Sequence, residues 1–318
     1  MNNDPQDLKL QIKARAASLG FLLCGVTTAQ PPAEYLRFTN WLAKGCHADM
    51  AYLETEYHRS ARNNPARIFP PVRSIIVLGL PYRLTSRQEM DQYGAGVICG
   101  YAVGEDYHQR IPRILEPLVG FIQESSSNTT RPRVFTDSGP ILERELASRA
   151  GLGWIGRNTC LISPLHGSAF LLAEIFTDLP LEPDAPEQRD LCGNCNHCLQ
   201  ACPTGCIQPN RMIDANRCIS YHTIENKGDI PVEIANSFTN QVFGCDICQV
   251  VCPWNHMSPA VAPYRGPENM IHKDEITNLL DISQGDFDLR YGNTPVSRAK
   301  KDGFVRNLRI VSEKLRSE

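Results

Sequence analysis

Nine of the thirteen cysteines fall within the 61 residues from Cys192 to Cys252. The first arm reads Cys192-x2-Cys195-x2-Cys198-x3-Cys202-Pro203, the spacing by which bacterial ferredoxins hold 4Fe–4S clusters. Three thiolates at intervals of three wrap one face of a cubane, while the fourth, turned away by the following proline, reaches a neighbouring cluster. The second arm, Cys245-x2-Cys248-x3-Cys252-Pro253, has a matching end but is one cysteine short. Cys218 is the natural candidate to complete it, with Cys206 as the alternative. Under this crossing rule Cys192, Cys195, Cys198 and Cys252 hold one cluster, and Cys202, Cys218, Cys245 and Cys248 hold the other. Zinc prefers four closed ligands drawn from two separated pairs, and triplets ending in Cys-Pro fit that poorly. Two adjacent clusters make an electron wire, which needs an acceptor.

The rest of the chain must position that acceptor. Its 318 residues correspond to about two domains, and 42% hydrophobic with 21% charged residues describes an ordinary globular chain. A net charge of −3 argues against a protein that coats nucleic acid indiscriminately and leaves room for local basic patches. No apolar run approaches the roughly 18 residues of a membrane helix. The polar N-terminus has neither a signal-peptide core nor a twin-arginine pair, so a cytoplasmic protein without membrane contact is expected. Many thiols in a reducing compartment serve metals or redox chemistry.

Periodicity predicts helices over 5–19, 34–44 and 141–150, the last stopped by Gly151. It predicts strands over 21–26, 73–80 and 133–136, with two more at 159–163 and 168–176 joined by a turn at His166-Gly167. Residues 105–124 have helical spacing, with Pro112 and Pro117 implying a broken or kinked helix. Residues 179–190 read as a linker. The tail is polar, and residues 296–318 carry seven Lys/Arg against three Asp/Glu.

Several signals are set aside. Gly151-Leu-Gly153-Trp-Ile-Gly156, with Glu174 about 20 residues on, matches the dinucleotide fingerprint. A helix precedes these glycines and a strand follows, the reverse of what a pyrophosphate needs, so a helix-ending turn with close backbone approach is expected. Asp106-Tyr-His108 starts like a corrinoid D-x-H-x-x-G box, but Ile111 stands where the glycine should be. His108 is therefore read as a surface or pocket histidine. No Ser-His-Asp order, P-loop or HExxH occurs.

Taken together, the segments GCHADMAYL (45–53), RSIIVLGLPY (73–82), YAVGEDYH (101–108), TDSGPILERELASRAGLGWIGRN (136–158), CGNCNHCLQACPTGCI (192–207), RCISYHTIE (217–225) and FGCDICQVVCPWN (243–255) resemble the epoxyqueuosine reductases. The resemblance implies an α+β chain. Residues 1–180 would form a cobalamin-binding catalytic domain similar to that of reductive dehalogenases. Residues 181–262 would form a bacterial ferredoxin-like domain with two 4Fe–4S clusters, and residues 263–318 a basic tail that contacts tRNA. It implies reduction of epoxyqueuosine to queuosine at the tRNA wobble position, at cobalamin fed by both clusters, with an unidentified low-potential electron donor and a monomeric protein. Family members often carry a helical-repeat extension after the cluster domain, so part of the tRNA surface would be missing or replaced by the tail, where Arg298, Lys300, Lys301, Arg306 and Arg309 are candidates for phosphate contact.

The resemblance also assigns Asp137, in the TDSGP turn, as the general acid. Taken alone, that residue reads as an Asx-type turn before Gly139-Pro140. To hold a proton near neutral pH its pKa must be raised, as burial under an apolar corrin would do. Arg62, Cys99, Leu161, Ser220 and Asp246 fall at or beside positions that would face cofactor or substrate. The competing readings are another corrinoid reductase, dehalogenase-like and acting on a small molecule, or a non-enzymatic electron carrier. About 180 residues ahead of the clusters are more than a carrier needs.

Overall fold

A computed structural model describes residues 5–84, 96–125, 131–257 and 270–317. A four-stranded antiparallel sheet organises the first half, in the order β1 (Leu23–Thr28), β2 (Ser74–Pro81), β7 (Phe170–Thr177), β4 (Arg133–Phe135). Both faces are covered, so β2 is apolar from Ile75 onward while its parity still sorts its side chains. Ile76, Leu78 and Leu80 meet the helices Pro5–Ser18 and Tyr107–Ser125, whereas Ile75 and Val77 meet Leu146 and Ala147 of the helix Glu143–Arg149. On β7, Ala173 and Ile175 face the first layer and Phe170 and Phe176 the second. Glu174 shares the parity of Phe170 and Phe176.

The helix Pro5–Ser18 buries Leu8, Ile12 and Ala16, four residues apart each time, and leaves Leu10 61% exposed. Tyr107–Ser125, expected to be broken or kinked, runs unbroken through Pro112 and Pro117. Ile111, Leu115, Leu118 and Ile122 are pinned to the sheet, and Pro117 is exposed, so the carbonyl it leaves without a helical donor lies on the water side. The segments expected to form a hairpin through His166-Gly167 meet only at the Ser163–Gly167 bridge. Leu161–Ile162 (β6) pairs instead with Trp154–Ile155 (β5), and β7 joins the main sheet. The glycine motif is a helix-ending turn: Gly151 has φ +76°, and a Cβ on Gly153 would lie 2.0 Å from the Ile162 carbonyl oxygen. The 179–190 stretch is strapped to β1, because the Asp184 amide donates to the Val26 oxygen at 2.8 Å and the Val26 amide to Asp184 Oδ2 at 2.8 Å.

A second core lies around the sheet β10 (Gln241–Phe243), β3 (Gly96–Ile98), β11 (Met270–Ile271). It packs on the helices Lys273–Leu280, Gln284–Tyr291 and Lys300–Ser317 through Phe243, Phe287, Phe304 and Val311. The polar tail is therefore helical and amphipathic, and it shares a core with a strand from the first hundred residues. Between the two cores, the cysteine segment folds into short helices, among them His197–Ala201, Ile219–Ile224 and Ile247–Val250.

Candidate functional site

A cleft of about 630 Å³ opens where the two cores meet, with Asp137 and His108 on one side and Ser220, Glu225 and Arg298 on the other. Asp137 follows β4 at φ +56°, a left-handed conformation that Asp tolerates better than most residues. Its Oδ2 accepts from Tyr107 Oη at 2.8 Å and lies 3.1 Å from His108 Nε2, while His108 Nδ1 lies 2.7 Å from Asp106 Oδ1. The Asp137 amide donates to Glu143 Oε1 at 2.6 Å.

Burial pushes the Asp137 carboxyl up, as expected from sequence, but the hydrogen bonds from His108 and Tyr107 and the charges of His108 and Arg298 outweigh it and hold it below the ordinary range. His108 is raised, chiefly by its hydrogen bond to Asp137. Without a corrin over it, this balance favours the anion on Asp137 and the proton on His108.

Three tyrosines line the path from this cluster toward the cysteines. Tyr107 and Tyr101 have ring centroids 6.1 Å apart, and Tyr101 and Tyr82 6.2 Å. Behind Tyr82 and Tyr101 lie Cys99 and Asp246, whose side chains are hydrogen-bonded to each other, and the Gly100 amide donates to Asp246 Oδ2 at 3.1 Å. Of the residues the resemblance places beside cofactor or substrate, Asp137 and Ser220 face the cleft, and Cys99 and Asp246 lie one layer back. Arg62 is buried in the helix Glu56–Asn63 against His58, 2.8 Å away, and the Phe38 ring. Leu161 is 3% exposed within the apolar core.

The cysteines fall into two neighbourhoods. Cys198 and Cys252, both raised first by burial, feel Cys192; Cys198 also feels Cys252, and Cys252 also feels Cys195. Cys245 and Cys248, likewise raised first by burial, feel Cys218, and Cys245 also feels Cys202. Cys206 stands 3.4 Å from Cys202, sulfur to sulfur, and is hydrogen-bonded to Cys218. Among the described residues no three such side chains converge as a single-ion site does. A cubane takes one thiolate at each of its irons, so its ligands surround a body rather than a point.

The segment 191–255 matches the family model of a 4Fe–4S double cluster binding domain, and residues 62–138 match that of epoxyqueuosine reductase QueG. An epoxyqueuosine reductase from Cyclobacterium marinum is 38% identical over 303 residues, 94% of this chain and 95% of that protein. One from Pseudomonas aeruginosa is 37% identical, covering 96% of this chain and 85% of its own. The chain belongs to the epoxyqueuosine reductases. Solved structures of epoxyqueuosine reductase agree. That from Streptococcus thermophilus superposes with a TM-score of 0.85 at 28% identity over 98% of this chain and 82% of its own. One solved with a tRNA-Tyr epoxyqueuosine-modified tRNA stem loop gives 0.83 at 30% identity, over 97% and 81%.

Within this epoxyqueuosine reductase, sequence reasoning missed Tyr107 and Arg298 as cleft residues, and Glu143 and Glu174 behind it. The stretch 101–108 carried Tyr107 in plain view. In the sequence Glu174 stands out only as the acid about 20 residues beyond the glycine motif. Of the tail cations, Arg298 reaches the cleft, bonded to Glu225 Oε1 at 2.6 Å. Arg306 is spent on the carbonyls of His222, Asn226 and Gly228.

Proposed function

We propose that the cleft at Asp137 is where epoxyqueuosine in tRNA is reduced to queuosine, at a cobalamin supplied with electrons by two 4Fe–4S clusters. The observation that carries this reading is the placement of a proton-holding His108–Asp137 pair in a cleft whose rear wall, Tyr82 and Tyr101, backs onto the cysteine region. The supporting facts from relatives are their names and the structure with a modified stem loop.

The residues present fit a corrinoid. The cleft lies within the 300–1,000 Å³ typical of cofactor sites, and Leu171, Ile224 and Phe243 offer apolar surface. When bound, the cofactor supplies a low-potential metal centre able to put electrons into a carbon–oxygen bond. Asp137, Ser220 and the Tyr82–Tyr101 wall would hold it, with Cys99 and Asp246 between wall and clusters; Arg62 and Leu161 would support from behind. Residues 1–180 would serve the cofactor, 181–262 the clusters through the two thiolate sets named above, and 263–318 the tRNA.

Deoxygenating the epoxide consumes two electrons and two protons and releases water. An alkoxide leaves poorly, so the oxygen must be protonated. His108 stores the proton, Asp137 passes it to the epoxide oxygen as the general acid and Tyr107 fixes the same carboxylate, so the trio can deliver a proton at one point of the cleft and be recharged from solvent. Arg298, across the cleft, offers a cation for a tRNA phosphate.

The test is conversion of tRNA from cells unable to finish queuosine. The reconstituted protein, with cobalamin and reductant, should yield queuosine after digestion to nucleosides and mass spectrometry. D137A should lower turnover by about a hundredfold or more, the range for a general acid. Unchanged epoxyqueuosine with the intact protein would contradict the reading.

A further inference from the structure

Glu174, in the middle of β7, is completely buried, and among the described residues no donor reaches either of its carboxyl oxygens. An ionised carboxylate left so costs several kcal/mol. Strand parity turns it toward the helix Glu143–Arg149, where the side chain that hydrogen-bonds it is another carboxyl, Glu143. Two carboxylates cannot bond each other, so one of them carries a proton. Glu143 meanwhile accepts the Asp137 amide at 2.6 Å, a short, charge-assisted length.

We propose that Glu174 and Glu143 share one proton as a carboxylic acid–carboxylate pair, and that the charge this leaves on Glu143 positions Asp137 for its part in the reaction. Glu174 keeps the proton and donates a hydrogen bond through it to Glu143, whose charge grips the Asp137 amide and holds the φ +56° turn. The same negative charge behind Asp137 opposes ionisation of that carboxyl and so raises its readiness to hold a proton. This rests on the functional reading above and deepens it; both glutamates are positioning residues.

Among the described residues Asp137 faces the pair from the turn after β4, Tyr107 from the helix Tyr107–Ser125, Arg144 from Glu143's own helix, and Arg62 from the helix Glu56–Asn63; His108 and Arg298 act through Asp137. Opposite Glu174, β2 offers Val77 and β4 offers Phe135, neither of which titrates. Consistent with a shared proton, burial and then Asp137 push Glu143 up to about 7, and burial and then Glu143 push Glu174 well above the carboxyl range.

Two measurements on the reconstituted holoprotein test this. Infrared spectroscopy at neutral pH should show the carbonyl stretch of a protonated, buried carboxyl, and E174Q should lose it. In turnover of epoxyqueuosine tRNA, E143Q and E174M should each lower kcat about tenfold or more with KM for tRNA unchanged, since a misplaced acid group costs rate rather than binding. E143Q should also move the pH profile of kcat to lower pH, because the charge opposing ionisation of Asp137 is gone. E174Q, whose amide still donates to Glu143, should restore kcat to within about threefold of the intact protein, as one neutral hydrogen bond replaces another. Absence of the protonated-carboxyl band in the intact protein, or an E143Q profile identical to it, overturns the proposal. The infrared result decides even if no variant folds. It also separates the two readings: a band without any queuosine formation removes the function and leaves the shared proton standing.

Discussion

At the scale of single residues, the account turns on where one proton resides. Asp137 is tied by three side-chain or backbone bonds, and they act in two ways. Tyr107 and His108 stabilise its anion, while the Glu143 contact fixes its backbone. Asn tolerates the same left-handed conformation, so D137N should keep the turn and remove only the charge. His108, raised by Asp137, should then fall toward its ordinary value near 6.5, as read by NMR titration of the labelled imidazole. His108 has a raised folded pKa, so its contribution is fully present below its unfolded pKa and is lost as pH rises through the folded one. Unfolding by denaturant should show a larger D137N penalty at pH 6 than at pH 9. An unchanged His108 titration would remove the pairing from the account. The carboxyl's importance was legible in the TDSGP segment only through family resemblance. Its partners were not legible, because Tyr107 and His108 lie about thirty residues away and reach Asp137 only through the placement of a helix on a sheet.

At the scale of elements, the cleft depends on segments whose roles a linear pattern hides. The cysteine arms were readable because ligand spacing is local: it survives any arrangement of the rest of the chain. The strands β2 and β7 were readable because both faces are buried and branched residues crowd there. Pairing was harder. β6 was expected to turn back on β7, yet the close approach at Gly153 seats it against β5. The run 179–190 looked like a linker because proline and acid dominate it, whereas Asp184 fastens it to β1 and to Lys9 and Lys13 at 3.2 and 2.7 Å. Burial pushes the Asp184 carboxyl up, but Lys13 and the Val26 amide outweigh it and hold it low. Its stabilisation is therefore present above the unfolded pKa and lost as pH falls through the folded one. D184A should cost about 1–3 kcal/mol at neutral pH, the range for a hydrogen-bonded charge, and the penalty should shrink in acid. A denaturation midpoint equal to that of the intact protein at pH 7 would mean that the strap carries no load.

At the scale of the whole molecule, β3 from the first half shares a sheet with β10 and β11. The core under it brings Phe243 and Arg298 to the cleft that Asp137 enters from the other side. Charge count and polarity made the tail look like an appended basic surface. They conceal the apolar positions Phe304, Leu308 and Val311, spaced as one helix face, which build it into the protein. No helix among the described residues is long and apolar enough to cross a membrane. The arrangement joins a proton-holding cluster, a tyrosine-lined wall and a cysteine region in one direction, and its most direct test is a count of electrons. Reconstituted protein carrying cobalamin is reduced anaerobically, freed of reductant and mixed with excess epoxyqueuosine tRNA. The account predicts one queuosine for every two electrons lost from the clusters, followed by electron paramagnetic resonance, and none when cobalamin is omitted. Queuosine formed without cobalamin, or clusters that stay reduced while queuosine accumulates, would contradict it.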